Sequence, residues 1–200
     1  MSIDDKKLAK RVKMIDAAYT LFLEKGVNIT AIDDVVKAAG VAKGTFYLYF
    51  KDKYDLLDQI VLSKSEGVIR KAIGELQKIR ETEKMSIAEQ IIFFTDRIIE
   101  CMETNKELAA LIHKNLSACF DVFLSDERSL LKDEIKTVTD LLTETGLTER
   151  EAHIHLYLFT GMISSACFDA IVKGRPFTVD EIKPQIHSMI YKLAKRDVTA

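Results

Sequence analysis

The sequence predicts an all-α protein of about nine helices. Three observations carry that prediction. Apolar residues recur at three- and four-residue spacing along most of the chain, the period of an amphipathic helix. The 200 residues include only two prolines and eight glycines, too few for the tight turns of a sandwich or barrel. No alternating strand pattern, internal repeat or low-complexity linker breaks the periodicity. With 48% apolar and 30% charged residues, the balance is that of a soluble globular chain long enough for one large core or two small ones.

Residues 6–25 form the first helix, with Leu8, Val12, Ile15, Ala18, Tyr19 and Phe22 on its apolar side and Gly26 as its stop. Thr30 and Asp33 stand at capping-box spacing, with Asp in place of the usual Glu, and open a second helix. Asp33 and Asp34 suit its positive end. Ile32, Val35, Val36 and Ala39 form its buried side, and Gly40 supplies the left-handed residue that ends it. Only Val41 and Ala42 precede a third helix at Lys43. A long helix follows from about Asp52 to Ile79, and "ETEKMS" breaks it. The next runs from Ile87 to about Thr104, with a short helix from Glu107 to His113. Residues 114–125 show no clear period. "SDERSLLKDEIKTVTDLL" is amphipathic, capped by Ser125 and closed by Gly146. Thr148 and Glu151 form a capping box for a long helix that is apolar nearly all round. Thr178 is the N-cap of the last helix, where Pro184 is expected to delay or kink the start.

Charge divides the chain. Residues 1–53 carry ten Lys/Arg against seven Asp/Glu, a net of +3; the remainder is −5. The shift suggests two domains, 1–52 and 53–200, the first offering a local site for a polyanion. Cys101, Cys119 and Cys167 are odd in number and lack C-x-x-C spacing, which argues against a disulfide framework and fits a cytoplasmic protein. The first residues lack the apolar core of a signal peptide. The longest apolar run, Leu156 to Phe168, is too short for a bilayer and is followed by Asp169. No membrane association is expected.

Residues 30–50 have the spacing of a helix-turn-helix, in which the second helix enters the major groove of DNA. Val35, Ala39, Val41, Phe46 and Tyr49 fall where the helices pack. The outward face is then Lys43, Gly44, Thr45 and Tyr47. Gly44 permits close backbone approach, Thr45 suits a phosphate or a thymine methyl, and Tyr47 reaches a phosphate or base edge. Thr30 is expected to present its amide and hydroxyl to the DNA backbone, and Lys53 to clamp a phosphate. Tyr49 is divided between core and phosphate.

The string "TAIDDVVKAAGVAKGTFYLYFKDKYDLL", with "AAYTLFLEKG" before it, resembles the DNA-binding domain of TetR-family transcriptional repressors over residues 10–57. Ala42 stands where that pattern has a capping Ser, and Val36 where it has Ala. The resemblance maps contacts onto Thr30, Lys43, Thr45, Tyr47, Tyr49 and Lys53. It implies a homodimer through residues 148–173 and 178–195, double-stranded operator DNA as partner, and release by a small, largely apolar inducer. The inducer pocket it implies would draw on Phe94, Ile98, Cys101, Met102, His113, Phe120, Tyr157 and Phe159, all of which also suit a plain core.

No cofactor or metal is expected. His153 and His155 are two apart on a helix and point in different directions, whereas a helical metal pair wants three or four. Asp96, Arg97 and Glu100 suit a charge network on a helix surface. No nucleophile–base pair or glycine-rich phosphate loop stands out, so an enzyme is not expected. The competing reading is a TetR-like protein that acts mainly through protein partners, with weak operator reading. The presence of Lys43, Thr45, Tyr47 and Lys53 favours DNA.

Overall fold

The computed structural model describes residues 3–114 and 132–195. Among these, the chain is helical with no strand: α1 (Ile3–Lys25), α2 (Ile32–Ala39), α3 (Lys43–Phe46), α4 (Lys53–Arg80), α5 (Ile87–Thr104), α6 (residues 106–114), α7 (Lys132–Thr143), α8 (Glu149–Phe168) and α9 (Val179–Ala194). Two compact units are present, Met1–Lys64 and Ser65–Ala200. The division falls inside α4.

In the first unit α1, α2, α3 and the first turns of α4 enclose Met14, Ala18, Val35, Phe46, Phe50, Leu56 and Ile60, all essentially without solvent contact. Burying one such side chain contributes about 1.5–3 kcal/mol, so this small core is what makes the unit stable. Polar links along α1 add to it. Arg11 donates to Gln59, and the Lys64 ammonium lies 4.5 Å from the Tyr19 ring. Gly26 and Gly40 end α1 and α2 at φ +84° and +66°, the left-handed geometry that glycine adopts without cost.

The second unit packs α5 against α9 and α7, and α8 against α7 and α9. Its core joins Ile99, Met102, Ala109, Cys167, Ile186 and Ile190. Three full capping boxes set its helix starts: Ser86 with Glu89, Thr148 with Glu151, and Thr178 with Glu181. The last places the start of α9 directly after Thr178, so Pro184 does not delay it. Asp96 does not stay within a surface network of its own helix. Its carboxylate receives His187 Nε2 at 2.8 Å and Lys183 Nζ at 3.5 Å, tying α5 to α9. Only Arg97 and Glu100 pair along α5, at 2.6 Å. The start of the seventh helix expected at Ser125 lies outside the described residues.

The apolar run at 156–168 lies within one long helical stretch. α8 continues through a π-helical turn, Asp169–Lys173. The 25 residues Glu149–Lys173 are long and apolar enough to cross a membrane, by length and composition alone. Few of these residues are buried: Ile154, Tyr157, Leu158 and Met162 are exposed on α8, and contiguous apolar surface of this kind marks an interaction face.

Candidate nucleic-acid interface and apolar cavity

α3 is a short helix pinned by aromatic packing. Phe46 is fully buried, with its ring edge-on to Tyr47 at 5.3 Å and tilted against Phe50 at 5.4 Å. The chain then turns without regular helix, through Tyr49 N–H to the Phe46 carbonyl at 2.9 Å and Phe50 N–H to the same oxygen at 3.0 Å. Two inward phenylalanines fix which way the intervening residues point. Lys43, Gly44, Tyr47 and Leu48 are exposed, Tyr47 by 54%, while Thr45 and Tyr49 are half-buried. Ala42 at the N-cap offers no side-chain acceptor.

Lys43 is engaged in the free protein. Its ammonium lies 2.8 Å from Asp33 Oδ1, with both groups largely in solvent. The Asp33 hydrogen bond and charge hold the Lys43 ammonium above its ordinary range. The pair joins the first turn of α2 to the first residue of α3. Sequence reading assigned Asp33 to a cap and missed this bond, although two opposite charges opening successive helices are a usable signal.

Thr30 and Lys53 are placed differently from expectation. Thr30 is 1% exposed. Its hydroxyl donates to the carbonyls of Gly26 at 2.8 Å and Leu21 at 3.3 Å, and its amide donates to Gly26 at 3.2 Å. Neither group faces outward, because both close the turn after α1. The N-cap of α2 is therefore Ala31, whose amide donates to the Asp34 carboxylate at 3.3 Å. The Lys53 ammonium donates to the carbonyls of Val27 at 2.9 Å, Asn28 at 2.9 Å and Thr30 at 3.3 Å. A lysine has three donors, and all three are spent on the loop before α2. Asp52 caps α4, accepting the amides of Tyr54 at 2.8 Å and Asp55 at 2.9 Å, and these bonds hold its carboxyl below the usual range.

The second unit contains a cavity of about 180 Å³. Of the residues named from sequence, Phe94, Ile98, Cys101, Met102 and Phe159 line it. His113 and Tyr157 do not. The His113 ring stacks on Phe168 at 4.4 Å, with Nδ1 3.4 Å from the Ser164 hydroxyl, and Tyr157 is exposed on α8. Phe120 and Cys119 lie outside the described residues. The wall also takes residues that sequence reading did not single out, among them Val68 and Ile69 of α4 and Glu134, Ile135 and Val138 of α7. Glu134 and Val138 share a face at i, i+4, a spacing that was readable; that the face borders a void was not. Burial raises the thiol pKa of Cys101 and pushes that of Cys167 up to about 11, so both stay protonated and weakly nucleophilic near neutral pH. Among the described residues no group of three or more His, Cys, Asp or Glu could hold a metal ion.

Residues 14–60 match the model of the bacterial regulatory proteins of the tetR family. An uncharacterised helix-turn-helix transcriptional regulator of Bacillus subtilis, YhgD, is 40% identical over 173 residues, covering 84% of this chain and 85% of that one. The chain belongs to the TetR family. It is a DNA-binding transcriptional regulator. Likeness to the Shigella flexneri regulator AcrR is confined to one region, 43% identity over 68 residues, or 34% of this chain and 29% of AcrR. Two solved structures share the fold of this TetR-family chain. A Bacillus subtilis FadR structure in complex with stearoyl-CoA covers 90% of this chain and 96% of its own, at 20% identity and TM-score 0.60. RolR in complex with resorcinol covers 98% of each at 18% identity and TM-score 0.66. TetR-family regulators bind operator DNA, act as dimers and bind small molecules.

Proposed function

We propose that this chain is a cytoplasmic homodimeric repressor that reads a palindrome-like operator and leaves it when a small, largely apolar ligand occupies the cavity of the second unit. The observation that carries the DNA half of this reading is the face of α3. Two buried phenylalanines leave Lys43, Gly44 and Tyr47 exposed, with Thr45 half-buried among them. Those four residues are the contact set, with the Tyr49 hydroxyl at its edge. Thr30 and Lys53 serve it indirectly, by holding the turn and loop that lead into α2.

The dimer surface in this reading is the exposed apolar side of α8, α9 and the connection before α9, where Ile154, Leu158, Met162, Phe177 and Met189 lie open. A second copy covers it under two-fold symmetry. Arg150, Glu151, His153 and His155 on α8 favour a protein partner over lipid. Two recognition helices would then meet half-sites about 34–36 Å apart, or a multiple of that. Ligand acts by binding more tightly to the dimer state that fits the operator poorly. α4 belongs to both units and would carry the change between them. That the FadR and RolR structures are complexes with stearoyl-CoA and resorcinol supports an organic effector.

The test is a gel shift with DNA from upstream of the protein's own gene. Wild type should give a sequence-specific, salt-sensitive complex, and Tyr47→Ala should weaken it while the dimer persists in size-exclusion chromatography. Equal binding to upstream and random duplexes would favour action through protein partners.

A further inference from the structure

Taking the cavity as the effector site, its charge narrows what it can hold. Among the described lining residues there is one Asp, Glu, Lys or Arg, and it is Glu134. The rest of the wall is apolar or neutral. The Thr95 hydroxyl is spent on the Ile91 carbonyl at 2.8 Å, and the Cys101 thiol is uncharged. Glu134 is only 13% exposed, and its Oε1 accepts from Arg70 Nε at 2.7 Å. That guanidinium is shared. Arg70 Nη2 also lies 2.7 Å from Glu66 Oε1, and Glu66 is 15% exposed. Two largely buried carboxylates thus share one guanidinium that is itself 58% exposed. Arg70 is not among the lining residues; it holds Glu134 from the solvent side.

Ser65, Thr160, Ser164 and His155 are the remaining polar lining residues, and His155 Nδ1 donates to the Glu151 carbonyl oxygen at 3.1 Å. A ligand carboxylate or phosphate entering this wall meets a largely buried carboxylate and, among the described lining residues, no Lys or Arg, and like charges at low dielectric repel strongly. A ligand with an amine or amidine head meets a carboxylate and can share or replace Arg70, whose exposed guanidinium keeps Glu66 and gains water.

We infer that the cavity takes a lipophilic ligand with a cationic or N–H-donating head, anchored on Glu134, rather than a fatty acid or an acyl thioester with its phosphates. This rests on the effector reading of the cavity, and the experiment separates the two. Decylamine, decanol, decanoate and decanoyl-CoA are each titrated into the full-length dimer below their micelle concentrations, with calorimetry as the readout. Decylamine should bind at least tenfold more tightly than decanol, and decanoate more weakly than decanol. Glu134→Gln should bring decylamine down to the level of decanol. Decanoate or decanoyl-CoA binding as tightly as decylamine would overturn the inference and leave an apolar effector cavity standing. An amine preference that survives Glu134→Gln would also overturn it, as general attraction to an acidic protein. Binding of none of the four would overturn the cavity reading itself. The wild-type series decides even where the variant folds poorly.

Discussion

Replacing Lys53 with methionine separates a brace from a phosphate clamp. Methionine keeps most of the aliphatic stem and removes the ammonium, so the carbonyls of Val27, Asn28 and Thr30 lose their shared donor. Hydrogen bonds to charged groups contribute about 1.5–3 kcal/mol where they are desolvated. Here the Asn28 bond is exposed and the other two are partly buried. Water replaces part of the loss, which leaves about 2 kcal/mol for the three together. For a chain of this length each kcal/mol moves the melting temperature by about 2–4 °C. Differential scanning fluorimetry should therefore show a fall of about 4–8 °C. Affinity for DNA should drop as the entry to α2 loosens, yet the slope of log K against log salt should stay at the wild-type value. A lysine on phosphate would instead remove about 0.9 from that slope for each contact, or roughly 1.8 for a dimer. An unchanged melting temperature with a slope reduced by that amount would refute the brace.

Phe46→Ala should destabilise the first unit by about 3–5 kcal/mol and abolish DNA binding, because a fully buried ring leaves a cavity; chemical denaturation with and without DNA measures both. Gly44 has open space around its Cα and no positive φ, so Gly44→Ala should raise stability by about 0.5–1 kcal/mol while weakening operator binding, a pairing of opposite signs read by melting and gel shift. Gly40→Ala also has open space but sits at φ +66°, and should cost about 1–2 kcal/mol from backbone strain alone. The backbone amide and hydroxyl of Thr178 hold the Glu181 carboxyl below the usual carboxylate range. Its contribution is therefore complete above the unfolded pKa and lost as pH falls through the lower folded value. Glu181→Gln should flatten the melting temperature against pH between about 6 and 3.

Helix starts were the most legible feature of the sequence, because Thr148–Glu151 and Thr178–Glu181 put both halves of a cap within four residues. The inward and outward sides of α3 were equally local: Phe46, Phe50 and Gly40 dictate them at short range. Thr30 and Lys53 were not legible in the same way. Each is a plausible phosphate ligand by residue type, and only the fold brings the carbonyls of residues 21–30 within reach of their donors. Lys43 was legible as a cation but not as the partner of Asp33, since that bond crosses the turn between two helices. The cavity was half legible. Periodicity marks Phe94, Ile98 and Met102 as inward, but whether inward side chains meet or leave a void depends on the tilt of whole helices. Glu134 entered the wall for that reason, as an acid on the apolar side of α7.

The central claim is that the α3 face reads a specific duplex. Fluorescence anisotropy with upstream DNA and a random duplex of equal length, each titrated across salt, tests it directly. The account predicts a wild-type affinity ratio of about 10³ or more in favour of one upstream segment. That ratio should collapse in Thr45→Ala/Tyr47→Ala, while the variant stays folded, with a melting temperature lowered by only a few degrees, and keeps residual salt-dependent binding. A wild-type ratio near one, or a ratio untouched by the double substitution, would contradict it.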